Sequence, residues 1–245
     1  MSTESFATQP LAGQTAVVIG ASSGMGCAIA ATLAQRGAKV LAAARRLERL
    51  EELSRQIPGI TSHAVDTTVE QDVDNLFTAI RSELGRVDLL VYATGTNIPD
   101  RALTQLSPAR WRDVVDANLT GAFLCTHAVV PLMRDQGGGL IVYLSSAAVQ
   151  RPDVSGVAYQ ASKHGLVGLA HGTRVEESRH GIRTSVIFPG LCDTEILLQR
   201  PTPTPSDVLD KALHPSDVAA AVLFLATLPP RAFVPELSLV PAQLW

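Results

Sequence analysis

The sequence predicts one doubly wound α/β domain, a seven-stranded parallel sheet with helices on both faces. Three observations point there. Apolar runs of strand length alternate with segments of helical periodicity along the whole chain. The runs are near-continuous Val, Ile, Leu and Ala rather than period-two patterns, as strands covered on both faces require. Hydrophobic residues make up 46% of the chain and aromatic ones only 4%, so the core rests on small and branched aliphatic side chains that let helices lie close to a sheet. No repeat or linker divides residues 1–245, a length that one such domain fills with a sizeable core.

Taken in order, residues 1–13 are polar and read as flexible. TAVVIG at 15–20 is a buried strand, and ASSGMG turns it into an Ala-rich helix that ends near Gly37. KVLAAA at 39–44 is the second strand; Leu47, Leu50, Leu53 and Ile57 then share one helical face, closed by Pro58-Gly59. ITSHAV gives the third strand, ending at Asp66, before a helix with Val69, Val73, Leu76, Phe77, Ile80 and Leu84 at helical spacing. DLLVYA at 88–93 is the fourth strand. One long helix is expected over 108–136, stopped by Gly137-Gly138-Gly139, and the strand LIVYLS follows. A helix over 158–180 precedes the strand IRTSVIF, and a loop over 191–214 with a Pro-rich core at 201–205 reads as a substrate-side lid. A helix over 215–228 and the strand ELSLV finish the fold.

The formal charge is −3 with no long basic run, so neither nucleic acid nor an anionic membrane is expected as principal partner. No apolar run reaches the length of a membrane span, and the opening MSTESFATQP lacks the pattern of a signal peptide. Cys27, Cys125 and Cys192 are odd in number and far apart, which fits reduced thiols in a cytoplasmic protein. His127, His164, His171 and His180 offer no i, i+4 ligand pair, so no metal is expected.

Chemistry concentrates in three places. Gly20, Gly24 and Gly26 stand between a strand and a helix, where glycines permit a tight turn and the helix start offers N–H groups to a pyrophosphate. At the end of the second strand, where an acid would bind the ribose hydroxyls of NAD, the chain has Ala44, then Arg45 and Arg46. Two cations at a helix start oppose its dipole, and the 2′-phosphate of NADP is an anion that would explain them; two solvated surface arginines are the plain alternative. Tyr159 and Lys163, four residues apart on one helical face, form an acid/base unit, with Ser146 thirteen residues upstream of the tyrosine. A nearby ammonium is expected to lower the phenol's pKa from about 10.

With these motifs in hand, nearly the whole chain resembles the classical short-chain dehydrogenases/reductases, a family with a Rossmann-type fold. GASSGMG, from Gly20 through Ser22, Ser23, Gly24, Met25 and Gly26, stands in the position of the family's cofactor turn. Asp66 with Thr67 stands in the adenine-contacting position, and FPGLCDT, with Pro189, Gly190 and Thr194, in the segment lining the nicotinamide carboxamide. Asn118, in WRDVVDANLTGAF, completes a tetrad with Ser146, Tyr159 and Lys163. AARRLERL and LPPRAFVPELSLVPAQ look most like the NADP-dependent hydroxy-acid and serine-type members. Two departures stand out: Ile19 replaces a threonine before the first glycine, and Tyr92-Ala93-Thr94-Gly95 replaces Asn-Asn-Ala-Gly. By the resemblance Ala93, Thr94 and Gly95 contact the cofactor; the lost asparagine braces the sheet centre and adenosine side in the family, so the contacts at Ala93 are altered from the pattern.

The resemblance implies NADP(H) as cofactor and hydride transfer to or from a ketone, aldehyde or secondary alcohol. Tyr159 would move the proton, Lys163 tune it and bind the nicotinamide ribose, Ser146 orient the oxygen, and Asn118 hold a water linking Lys163 to solvent. It also implies a homodimer or homotetramer packed through the helices at 108–136 and 158–180. The substrate pocket is expected from Thr96, Asn97, Ala148, Val154, Leu191 and Cys192 beside Ser146 and Tyr159, with Arg151 and Glu195 as further polar contacts. Two rival readings are a non-catalytic NADP(H)-binding sensor or scaffold and an epimerase or dehydratase on the same fold.

Overall fold

A computed structural model describes residues 9–244. The strands are β1 (Thr15–Ile19), β2 (Lys39–Ala44), β3 (Ile60–Ala64), β4 (Leu89–Tyr92), β5 (Gly139–Leu144), β6 (Ile182–Pro189) and β7 (Glu236–Leu239). Among the described residues they form one seven-stranded sheet in the order β3-β2-β1-β4-β5-β6-β7, with every neighbouring pair parallel. The order reverses between β1 and β4, which opens a crevice beyond the carboxyl ends of those strands, where ligands of such sheets bind.

Along the chain the helices are α1 (Gly24–Gln35), α2 (Leu47–Gln56), α3 (Glu70–Glu83), α4 (Pro108–Val115), α5 (Gly121–Asp135), α6 (Val157–Glu177), α7 (Ser206–Leu209) and α8 (Pro215–Ala226). Because side chains alternate across a strand, β1 sends Val18 into one core and Val17 with Ile19 into the other. The first core takes Ile29 and Leu33 of α1, Leu50 of α2 and Val218 with Val222 of α8. The second takes Leu76 and Ile80 of α3, Cys125 and Val129 of α5 and Leu166 of α6. Helices thus cover both faces of a single Rossmann-type domain, as the composition predicted.

Three sequence expectations need adjusting. Residues 1–8 of the stretch expected to be flexible lie outside the described residues, whereas Leu11 is fully buried and its N–H donates to Arg36 O at 3.0 Å, which ties down the part that follows. The helix expected over 108–136 starts where predicted, with Ser107 Oγ capping Arg110 N at 3.2 Å, but widens to a π turn at Asp116–Thr120. The buried Tyr92 hydroxyl donates to Ala117 O at 2.7 Å, and Gly121 lies so close that an added Cβ would stand 2.6 Å from that hydroxyl. A side chain competing for a helix carbonyl in this way favours the looser turn. The loop over 191–214 carries a tight 3₁₀ turn at Glu195–Gln199 and the short α7 rather than running as plain coil.

Candidate active site

The crevice is a cleft of about 1870 Å³. That exceeds the roughly 300–1,000 Å³ of a usual small-molecule pocket and leaves room for a dinucleotide together with a second molecule.

Its floor is the glycine turn. Gly20 has φ +87°, and a Cβ on it would meet Thr94 N at 2.8 Å; a Cβ on Gly26 would meet Gly20 O at 2.2 Å. The turn and the first coil of α1 are therefore folded directly onto each other and onto the loop after β4. Ser23, at the N-cap of α1, makes no side-chain cap, which leaves the opening N–H groups of the helix without that partner where Gly24 and Met25 line the cleft. A backbone cradle that Cβ atoms would fill, at an uncapped helix start, fits a pyrophosphate. Ala93, Thr94 and Gly95 continue the floor; an added Cβ on Gly95 would stand 3.0 Å from Lys163 Nζ.

At the end of the cleft beside β2, Arg46 donates from Nε to Ser22 Oγ at 3.2 Å and from Nη2 to Ser23 Oγ at 2.6 Å. Its Nη1 reaches Glu195 Oε2 at 2.8 Å, and Arg49 Nη1 reaches Glu195 Oε1 at 2.5 Å. The two guanidiniums, Arg46 foremost, hold the Glu195 carboxyl down to about 2. Arg45 is exposed at the same rim. Glu195, expected as a substrate contact, is thus committed to the arginine cluster instead: the chain beyond Thr194 turns back toward α2. Asp66 Oδ1 accepts from Thr68 N at 3.0 Å and from Thr68 Oγ1 at 2.8 Å, which holds its carboxylate at the cleft wall. Thr67 is buried, with its hydroxyl 3.2 Å from that of Tyr92.

At the other end the proposed tetrad converges. Ser146 follows β5 and its Oγ accepts from Ala148 N at 3.2 Å; its hydroxyl also lies near enough to the Tyr159 phenol to act on its pKa. Tyr159 and Lys163 lie on the first turns of α6, and Ser145 Oγ pins that helix by donating to Lys163 O at 2.9 Å. Lys163 is buried, with Nζ donating to Leu144 O at 2.9 Å and lying 5.8 Å from the centre of the Tyr159 ring. Asn118, on the π turn, is fully buried. Its Oδ1 accepts from Thr96 N at 2.7 Å and its Nδ2 donates to Thr96 O and Ser162 Oγ, both at 3.0 Å. It therefore ties the substrate-side loop to α6, and makes its direct contacts there rather than with Lys163.

The electrostatics differ from the expectation in one respect. Burial raises the Tyr159 pKa, with the nearby Ser146 hydroxyl pulling the other way, so the phenol stays protonated at neutral pH. Burial also takes Lys163 down to about 8, so its ammonium is itself destabilised by the same dry surroundings that raise the phenol.

The substrate-side residues divide. Ala148 and Leu191 wall the cleft, and Val154 projects at its rim, 87% exposed. Asn97 is also at the wall, but Nδ2 donates to Ser155 O and Oδ1 accepts from Ile98 N, both at 2.9 Å. It braces the loop before α6, and both ends of its amide are engaged. Cys192 is packed into the core beside Leu213, and burial pushes its thiol up to about 12, which suits a wall and not a nucleophile. Gly190 N donates to Leu239 O at 2.8 Å, and the Thr194 side chain faces Gly24, so 189–194 bridges β7 and the glycine turn. Sequence reasoning missed Arg49, Ser162, Arg101 and Arg200. Arg49 was readable as the i+3 neighbour of Arg46 on one helical face. Arg101 is held below its ordinary value by burial and then by Arg200, and both line the cleft, with Arg200 Nη1 donating to Thr204 Oγ1 at 3.0 Å.

Residues 14–203 match the family described as short chain dehydrogenase. A metagenomic short-chain oxidoreductase solved in complex with NADP is 33% identical, with TM-score 0.83 over 95% of this chain and 99% of that one. An alcohol dehydrogenase from the archaeon Thermococcus sibiricus, complexed with 5-hydroxy-NADP, is 26% identical, with TM-score 0.84 over 94% of this chain and 97% of that one. A structure described as ribose-5-phosphate isomerase from Brucella melitensis 16M is 28% identical, with TM-score 0.89 over 96% of this chain and 93% of that one.

Proposed function

The chain belongs to the short-chain dehydrogenase family of oxidoreductases, and from that premise we propose an NADP(H)-dependent enzyme acting on a ketone, aldehyde or secondary alcohol. The observation that carries this reading is the meeting of Ser146, Tyr159 and Lys163 in the same cleft as the glycine turn and Arg46, to which Glu195 links Arg49.

NADP(H), when bound, supplies or accepts the hydride. Gly20, Gly24 and the start of α1 would hold its pyrophosphate, Asp66 its adenine and the arginines its 2′-phosphate. Lys163 would hold the nicotinamide ribose, and Pro189, Gly190 and Thr194 the carboxamide. Tyr159, kept protonated by burial, donates its proton to the carbonyl oxygen during reduction. Ser146, beside that phenol, orients the same oxygen. Asn118 is a positioning residue that fixes Thr96 against α6.

Arg101 and Arg200, with Arg151 nearby and Asp153 as the opposing charge, favour a substrate that joins its carbonyl to a carboxylate. This agrees with the likeness of AARRLERL to hydroxy-acid dehydrogenases. The same reading makes the protein cytoplasmic and a homodimer or homotetramer; among the described residues no helix is long and apolar enough to cross a membrane, and the half-exposed Phe123 and Phe224 offer apolar surface for assembly.

The test is NADPH oxidation with keto acids against matched neutral ketones and aldehydes. Tyr159→Phe should lower turnover about 10²–10⁴-fold while NADPH binding persists. Binding without turnover of any substrate would favour the sensor reading. Interconversion without net NADPH use would favour an isomerising enzyme, the activity named for the Brucella neighbour.

A further inference from the structure

The acidic residue at the start of the substrate-side turn sits on the cations that the coenzyme reading assigns to a phosphate. Arg46 uses Nε and Nη2 on the serines of the glycine turn, so Nη1 is the donor left pointing outward, and it is bonded to Glu195 at 2.8 Å. Arg49 is bonded to the other oxygen of the same carboxylate at 2.5 Å. An anion brought to this end of the cleft meets Arg46 and its neighbour Arg49 already bonded to Glu195.

We propose that Glu195 is an internal competitor for the adenosine 2′-phosphate, and that arrival of the phosphate releases the turn Glu195–Gln199 that helps wall the substrate pocket. The inference rests on the NADP(H) reading and adds to it a coupling between the two ends of the cleft.

Three features carry it. The carboxylate spans both guanidiniums, one oxygen to each, in the arrangement a phosphate would adopt with more charge and one more oxygen. A 2′-phosphate carries between one and two negative charges at neutral pH against the single charge of Glu195, so it wins the exchange. The pairs are also half-exposed, with Arg46 at 40% and Glu195 at 47%, so the contact to be displaced is a weak one. Release matters because of what Glu195 is attached to. Thr194, immediately before it, abuts Gly24, and Leu197 and Arg200, further along the same turn, line the cleft. Leu197 N bonds to Thr194 O at 3.0 Å and Arg200 N to Leu197 O at 3.1 Å, so the turn moves as a unit. A coenzyme without the 2′-phosphate leaves the carboxylate where it is.

The full-length protein and its Glu195→Gln variant would be titrated with NADPH, NADH, adenosine 2′,5′-bisphosphate and 5′-AMP, following ligand or protein fluorescence at fixed ionic strength. Removing the competing charge should tighten binding of NADPH and the bisphosphate about 1.4- to 5-fold, the range of an exposed ion pair, and leave NADH and 5′-AMP unchanged. In the wild type, hydrogen exchange across 195–200 should quicken with the bisphosphate and not with 5′-AMP. A variant that binds NADPH no more tightly than the wild type overturns the proposal. So does one that loses NADH affinity, which would make Glu195 an acceptor for a ribose hydroxyl. Unchanged exchange on adding the bisphosphate overturns the coupling. A wild type that gains nothing from the 2′-phosphate overturns the NADP(H) reading itself, and this proposal with it; a wild type that prefers it, beside a variant that shows no shift, overturns the competitor alone.

Discussion

At the residue scale, Lys163 is the most informative single group. Burial moves its pKa from 10.5 to about 8. The unfolded chain therefore binds more protons than the folded one between about pH 8 and 10.5, and stability rises with pH across that window; below pH 8 the whole cost of the buried ammonium is present. That cost is on the order of 3 kcal/mol, less about 1 kcal/mol for the bond to Leu144 O. Lys163→Met should then be more stable than the wild type by about 2 kcal/mol at pH 7, with the gap closing toward pH 10, while activity falls at least about 10²-fold. Urea midpoints at the two pH values check it; a variant less stable at pH 7 would mean the ammonium is a net stabiliser. Gly26 gives a second test. A Cβ there would lie 2.2 Å from a backbone oxygen that cannot step aside, so Gly26→Ala should cost about 1–3 kcal/mol by thermal melt and weaken NADPH binding about tenfold or more.

At the element scale, the π turn between α4 and α5 places Asn118 behind the wall of the site, bonded to Thr96, and Tyr92 holds that turn in place. Tyr92→Phe leaves Ala117 O without its buried donor, a loss of about 1–3 kcal/mol. If the hydroxyl also keeps Asn118 in register with Thr96 and Ser162, kcat should fall several-fold with KM little changed; a drop in melting temperature alone would make Tyr92 a packing residue. The turn was not legible beforehand because one extra residue in a helix barely disturbs the apolar spacing on either side of Asn118. The strands were legible, since Val17 to Ile19 or Leu89 to Val91 admit few other environments. So was the grouping of Ser146, Tyr159 and Lys163, through their order along the chain. What spacing could not supply was solvation: the pKa of Tyr159 depends on what covers it. Nor could it supply pairings such as Arg46 with Glu195, made across 149 positions of chain.

At the scale of the whole molecule, β7 is the outer strand beyond β6, yet it serves the middle of the cleft. Val186 N donates to Pro235 O at 2.9 Å, Ser185 Oγ to Val234 O at 2.7 Å and Gly190 N to Leu239 O at 2.8 Å. Pro241 and Leu244 reach the cleft itself. Removing residues 233–245 strips β6 of its partner along that edge, and the shortened chain should lose its cooperative melt and aggregate, as judged by circular dichroism and gel filtration. The four proposed site residues are all present in sequence by Lys163, but Gly190, in the segment 189–194, gains its backbone acceptor only when the final strand is laid down. A polypeptide still emerging from the ribosome thus carries all four of those residues before the last strand that braces its cleft has been made.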